Sequence, residues 1–312
     1  MMKIKKLAIF FTTTLIATCG FSIKTNNDKT NEYNKYIKST TKKIESDDEF
    51  LITAHRGFSS LEIENTKEAL SLASKKDYID YIEIDARMTK DNKIVLSHDD
   101  FIISDDSIEL ISKQNYDDLI NESFNYQSYY ISPYLCVNKE NELIQKRKKK
   151  LNNKEYSIIG LKEGIEACND KQILLDIKFD NNVEEFTKEL QLELQDINTN
   201  NITFQSLDIE GLKYFKEKTG YDNCLALINC KSDFKYVDDF NNIGIKLSLV
   251  NKKQIKKLLD KNKNVAIWTI NNDNDFNTVV EKLGDSYQDV IYISDNPDII
   301  ATKLYAKQKK KK

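Results

Sequence analysis

A (β/α)8 TIM barrel, an α/β fold, is what this 312-residue chain predicts, and three observations predict it. Short β-rich runs alternate with amphipathic helical stretches, the pattern that yields parallel strands linked by helices. That alternation spans residues 50–306, close to the roughly 250 residues such a barrel needs. The ends of the early strands carry the chain's only two histidines together with acids, and barrel enzymes build their sites at strand C-termini.

The first predicted strand, 51–55, ends in His55. A helix over 65–74 follows, opened by Glu64, Asn65 and Thr66, with Ala69, Leu70, Leu72 and Ala73 on one stripe. The second strand, 81–87, alternates strictly. Glu83 and Asp85 therefore project from one face, and Ile82, Ile84 and Ala86 from the other. A short strand at 93–98 ends in His98. The third main strand is 172–179, followed by a helix over 183–194. Strands at 201–205, 223–228, 244–250, 264–270 and 290–294 complete a count of eight, with 93–98 left outside it. Their helices fall at 208–217, 252–260, 273–282 and 297–306, and a poorly defined segment lies near Tyr236.

Two carboxylates held side by side suit a hard cation such as Mg2+ or Ca2+, which takes oxygen ligands and keeps positions open for phosphate. A pair of imidazoles titrating near neutrality serves as general acid and general base. Arg56 presents a planar fork matched to phosphate oxygens. Salt bridges from Glu83 and Asp85 to Arg56, Arg87 or Lys178 are the structural alternative, but charge packed into a barrel mouth without a ligand is costly to desolvate.

At these residues the chain resembles the glycerophosphodiester phosphodiesterase family, whose barrel opens with His-Arg-Gly, Glu-Asn-Thr, Glu-x-Asp and His-Asp. All four motifs are present in order, at His55-Arg56-Gly57, Glu64-Asn65-Thr66, Glu83-Ile84-Asp85 and His98-Asp99. Later motifs follow more loosely: Asp176-Ile177-Lys178 in place of Glu-x-Lys, Gln205-Ser206-Leu207-Asp208, Trp268-Thr269-Ile270-Asn271 and Ser294-Asp295-Asn296-Pro297. The resemblance implies metal-dependent hydrolysis of a small glycerophosphodiester to sn-glycerol 3-phosphate and an alcohol. Glu83, Asp85 and Asp176 would hold one divalent cation, Ca2+ or Mg2+, and His55 and His98 would be the catalytic pair. Asp176 departs from the family's glutamate by one methylene. Lys178 holds the phosphate or neutralises the acids. Trp268 stacks on glycerol or simply fills core. Glu64 and Asn65 cap their helix, with contact to the metal site as the family implication. Alternatives within reach are cleavage of a glycerol phosphate cell-wall polymer or a phospholipid, and a catalytically silent surface binding protein.

The insertion at about 100–156 is longer and more polar than a barrel loop. It holds Phe101, Tyr116, Phe124, Tyr126, Tyr129, Tyr130 and Tyr134, and then a basic run at 146–150. In the family an insertion here caps the site. Its aromatics either close over substrate or form a private core. Basic runs at 146–150 and 307–312 read as solvated or disordered, with contact to an anionic lipid or polymer as the functional reading. A net charge of −3 and the lack of any nucleic-acid motif exclude that class of partner. Residues 1–20 read as an export signal of about the right length. Ile16-Ala17-Thr18-Cys19 resembles a lipoprotein box, with Thr18 where a smaller residue is usual, so Cys19 is a candidate membrane tether at a bacterial surface. Residues 21–49 read as a polar linker that cannot bury enough surface to fold alone. Cys136, Cys168, Cys224 and Cys230 are expected to form no essential disulfide.

Overall fold

The computed structural model describes residues 19–44, 50–104, 107–126, 139–180 and 182–310. Eight parallel strands close on themselves: β1 (Leu51–Ala54), β2 (Tyr81–Met88), β3 (Gln172–Ile177), β4 (Ile202–Ser206), β5 (Cys224–Ile228), β6 (Asn242–Lys246), β7 (Asn264–Trp268) and β8 (Ile291–Ser294). Closure is direct, because β1 pairs with β8 on one side and β2 on the other. The predicted fold class is therefore the observed one.

Period-two alternation sorts side chains between the barrel interior and the helix layer. Leu174, Leu225, Leu227, Ala266, Ile291 and Ile293 fill the interior. Their neighbours Ile173, Leu175, Ala226, Ile267 and Tyr292 meet the surrounding helices in the main core. Because Glu83 and Asp85 alternate with Ile82 and Ile84 of that core, the acids face inward, toward the strand C-termini.

Three expectations shift. The run at 93–98 forms only a short strand, Ile94–Leu96, antiparallel to β2, so His98 rides on a loop beside the barrel. The sixth strand ends at Lys246, and 247–250 turns away as a single helical turn. The basic tail is helical through Lys309, as the end of a C-terminal helix, Pro297–Lys309, that buries Ile299, Ile300, Ala301 and Leu304.

The expected linker is the largest correction. Cys19–Thr41 is a helix, and Ile37 is buried against Leu143 and Ile299. Thr30 donates to Glu142 at 2.8 Å, and Lys146 donates to Asn31 at 3.0 Å. A sequence this polar cannot hold a helix alone; docking onto the insertion and the C-terminal helix supplies the missing apolar contact. The expected export signal lies outside the described residues, apart from Cys19 and the residue after it.

Ile102, Ile111, Leu119 and Phe124 of the insertion form a small second core together with Val95 and Ile158 from either side of it, flanked by Tyr116 and Tyr156. Phe124 and Tyr116 thus take the structural role. Tyr129, Tyr130 and Tyr134 lie outside the described residues. The helix Lys139–Leu151 carries the basic run, which is not a solvated patch throughout: Arg147 is 7 % exposed and pairs with Asp298 through both guanidinium nitrogens, at 3.0 and 2.6 Å.

Glu140, on the same helix, is buried beside Lys303, which also pairs with Asp273. Burial outweighs the attraction of Lys303, and Asp273 adds repulsion, so the carboxyl is pushed up from 4.5 to about 7. Between those values the unfolded chain binds fewer protons than the folded one, so this group's contribution to stability falls as pH rises from about 4.5 to 7. Glu140→Gln is expected to raise the melting temperature at pH 8 and leave it nearly unchanged at pH 4, read by thermal unfolding at both values. An equal effect at both would remove the ionisation from the account.

Among the described residues Cys168 and Cys224 are buried thiols and Cys230 is exposed. Burial raises the two buried thiols to about 12, which leaves them inert.

Candidate active site

Two left-handed residues shape the turn after β1, Arg56 at φ 58° and Gly57 at φ 78°. A Cβ on Gly57 would lie 2.7 Å from the Ala69 backbone, so glycine alone fits there. The turn aims the Arg56 N–H at Glu83 Oε2, 2.8 Å away, and the Gly57 N–H at the Glu83 carbonyl, 3.2 Å away. His55 is thereby fixed just above the barrel floor.

Glu83, Asp85 and Asp176 converge there, 1 %, 1 % and 5 % exposed. One oxygen from each lies within 4.8 Å of the others. The register explains it: Asp85 stands beside Asp176 across β2 and β3, and Glu83 lies one inward position below. Lys178 Nζ bridges Asp176 at 2.7 Å and Asp85 at 2.9 Å. Arg56 reaches Asp85 at 3.4 Å and Glu64 at 2.9 Å. Asn65 clasps Asp85 twice, donating to its carboxylate at 2.8 Å and accepting its backbone N–H at 3.1 Å. Capping of the following helix falls instead to Thr66, which accepts from Ala69. Glu64 and Asn65 thus turn toward Arg56 and Asp85 rather than capping the helix.

The electrostatics are uneven. Burial raises Glu83 well above its ordinary value, repulsion from Asp85 and Asp176 adds to this, and Arg56 and Lys178 offset only part. Burial likewise raises Asp176 despite Lys178. Burial opposes ionisation of Asp85 as well, but Lys178 and Arg56 overcome it and hold this acid below the usual carboxylate range. Asp176 Oδ1 is buried and has no hydrogen-bond partner among the described residues. Three converging carboxylates, two of them short of positive charge and one with an unused oxygen, fit a hard divalent cation.

Both imidazoles flank this cluster, each held by a neighbouring acid. His55 Nδ1 lies 2.6 Å from Asp295 Oδ1, and its Nε2 is 3.9 Å from Glu83. Burial works against Asp295, yet the hydrogen bond and charge of His55, with Arg56 and Lys148 nearby, hold it at about 2. An ionised Asp295 accepts from Nδ1–H, which turns Nε2 toward Glu83. His98 Nδ1 lies 2.8 Å from Asp99, whose carboxyl that bond lowers. Arg87, a candidate partner for the acid pair, instead holds the His98 carbonyl at 3.0 and 2.6 Å and pairs with Asp180. It positions the loop that carries His98.

An open cleft of about 550 Å³ joins His55, Arg56, Glu64, His98 and Asp295 to the insertion residues Phe101, Tyr126 and Lys148. Trp268 is set apart from that lining. It packs half-buried over the barrel interior, with Lys246 5.8 Å above its ring, so the core reading describes its position. Sequence reasoning did not single out Asp295, Asp99, Gln205 or Lys148. The first three lie inside quoted motifs, and Gln205 approaches Glu83 at 3.5 Å; Lys148 carries no local signal beyond its basic neighbours.

Residues 55–286 match the model of the glycerophosphoryl diester phosphodiesterase family. No single curated protein matches the chain significantly. Solved structures share its fold. A phosphodiesterase of Oleispira antarctica, in complex with the product sn-glycerol-3-phosphate, is 20% identical with a TM-score of 0.61, covering 80% of this chain and 94% of its own. Glycerophosphodiester phosphodiesterases of Parabacteroides distasonis (15%, 0.62, covering 84% and 99%) and Thermotoga maritima (18%, 0.55, covering 81% and 98%) are similar.

Proposed function

The chain belongs to the glycerophosphoryl diester phosphodiesterase family, and on that premise we propose that it hydrolyses glycerophosphodiesters to sn-glycerol 3-phosphate and an alcohol. The observation that carries this reading is the convergence of three buried carboxylates, with His55 3.9 Å from Glu83 and both imidazoles lining one cleft. The product bound to the Oleispira antarctica protein supports the same product here.

Glu83, Asp85 and Asp176 are the residues that would hold one divalent cation, Mg2+ or Ca2+, which when bound neutralises phosphate charge and orients the nucleophile. Arg56 and Lys178 face that position and stabilise charge growing on the equatorial oxygens. One imidazole takes the proton of the attacking hydroxyl or water as the new P–O bond forms. The other delivers a proton to the leaving oxygen as the old bond breaks. With water as nucleophile the two rings end in exchanged states that proton exchange with solvent resets. With a glycerol hydroxyl the cyclic phosphate formed is opened by water with the two rings in reversed roles, which resets both. Asp295 and Asp99 keep them oriented.

The test is direct. The purified protein is incubated with glycerophosphoglycerol and glycerophosphocholine, with Mg2+ or Ca2+ supplied, and sn-glycerol 3-phosphate is quantified. Release from at least one diester is expected. No release from any would overturn the hydrolase reading in favour of a silent binding protein.

We also propose that the protein is exported through residues 1–20 and anchored at Cys19. The helix Cys19–Thr41 would then leave only its first turns, about 16 Å from Cys19 to Thr30, between lipid and barrel, because it is docked from Thr30 onward. Fractionation of cells expressing the full chain or Cys19→Ala checks this. The unaltered protein should follow the membrane and the variant the medium, and identical partitioning of the two would rule out the anchor.

A further inference from the structure

The basic run of the helix Lys139–Leu151 is divided by that helix's rotation. Arg147 points inward to its two-pronged pair with Asp298, with a further bond to Asn296 at 3.2 Å. This anchor fixes the helix about its axis, and the adjacent Lys148 then lines the cleft shared by His55, Arg56 and His98. Each acid of that lining is already engaged. Asp295 holds His55 through one oxygen and Asn271 through the other, both at 2.6 Å. Glu64 holds Arg56 at 2.9 Å, and Asp99 holds His98 at 2.8 Å. Among the described residues, the Lys148 ammonium makes no ion pair.

A half-buried cation left over after all neighbouring acids are paired attracts an anionic ligand group. The reacting phosphoryl group already has Arg56 and Lys178 on the barrel floor. Lys148 comes from the insertion, apart from those two, so an anion that it meets belongs to another part of the substrate. We propose that Lys148 is a specificity residue that favours diesters whose leaving alcohol itself carries a phosphate, as each unit of a glycerol phosphate polymer does. The inference rests on the hydrolase reading above.

The experiment compares the unaltered protein, Lys148→Ala, Lys148→Glu and the exposed neighbour Lys149→Ala on three diesters. These are glycerophosphoglycerol, its terminally phosphorylated derivative and glycerophosphocholine. The unaltered protein should show its highest kcat/KM on the phosphorylated alcohol and its lowest on the choline diester. In Lys148→Ala the ratio of phosphorylated to neutral substrate should fall about tenfold, equivalent to about 1.4 kcal/mol, and it should fall further in Lys148→Glu. Lys149→Ala should keep the original ratio. Added salt should shrink the ratio of the unaltered protein and leave that of Lys148→Ala unmoved. The choline diester is the discriminating substrate, because Phe101 and Tyr126 on the same rim offer ring faces to a quaternary ammonium. A preference for choline, or the same ratio in the unaltered protein and Lys148→Ala, overturns the proposal while leaving the hydrolase reading intact. Failure to cleave any of the three brings down both.

Discussion

His55→Ala is expected to lower kcat by about 10³-fold or more while shifting the melting temperature by only a few degrees. The ring links an ionised acid on the last strand's loop to the buried carboxylates, with Asp295 at 2.6 Å on Nδ1 and Glu83 at 3.9 Å from Nε2. General acid or base catalysis by a positioned side chain is worth about 10² to 10⁴. Losing the ring also leaves the Asp295 carboxylate with one of its two short side-chain hydrogen bonds, that from Asn271. Asp295→Asn tests the same link from the other side. An amide facing Nδ1 favours the opposite tautomer and directs the proton to Nε2, so turnover should fall by about 10²-fold or more with the fold intact. Near-normal turnover in His55→Ala, measured on the best diester substrate, would take His55 out of the chemistry altogether.

Removal of divalent cations is expected to have an effect of similar size, about 10³-fold on turnover, reversed by adding Mg2+ or Ca2+. Stability should move with it. Cation binding relieves a cluster in which burial and mutual repulsion oppose ionisation of Glu83 and Asp176. At a hundredfold excess over Kd, binding adds about 2.7 kcal/mol, which for a domain of this size is roughly 5–10 °C of melting temperature. Asp176→Ala should abolish that thermal response, because it removes the carboxylate with the unused buried oxygen. A cation-induced shift of equal size in this variant would place the ion elsewhere, and unchanged turnover in excess chelator would exclude a metal from the reaction.

Much of the site was legible because its residues lie in short local patterns. Period-two alternation in β2 by itself puts Glu83 and Asp85 on one face, and both turned out to be inward and buried. His55, Arg56, Glu64 and Asn65 fall within one turn-and-helix segment, so their clustering around Asp85 follows from a short chain path. For Glu64 and Asn65 propensity at a helix start indicated only capping, and contact with the acid cluster came from the family resemblance, since a local pattern carries no information about an acid on the next strand.

What the chain determined alone is therefore the succession of eight strands and the acid pair on the second of them. These depend only on spacing along a few residues. What the tertiary structure decided is every pairing that spans the barrel. Asp295 meets His55 because β8 closes onto β1, 240 residues apart in sequence. Arg147 is buried and Lys148 turned toward the cleft because Asp298 fixes the rotation of a helix from the insertion. The polar N-terminal segment is helical because Leu143 and Ile299 cover Ile37. Such outcomes depend on which distant surfaces meet, and no local periodicity records that.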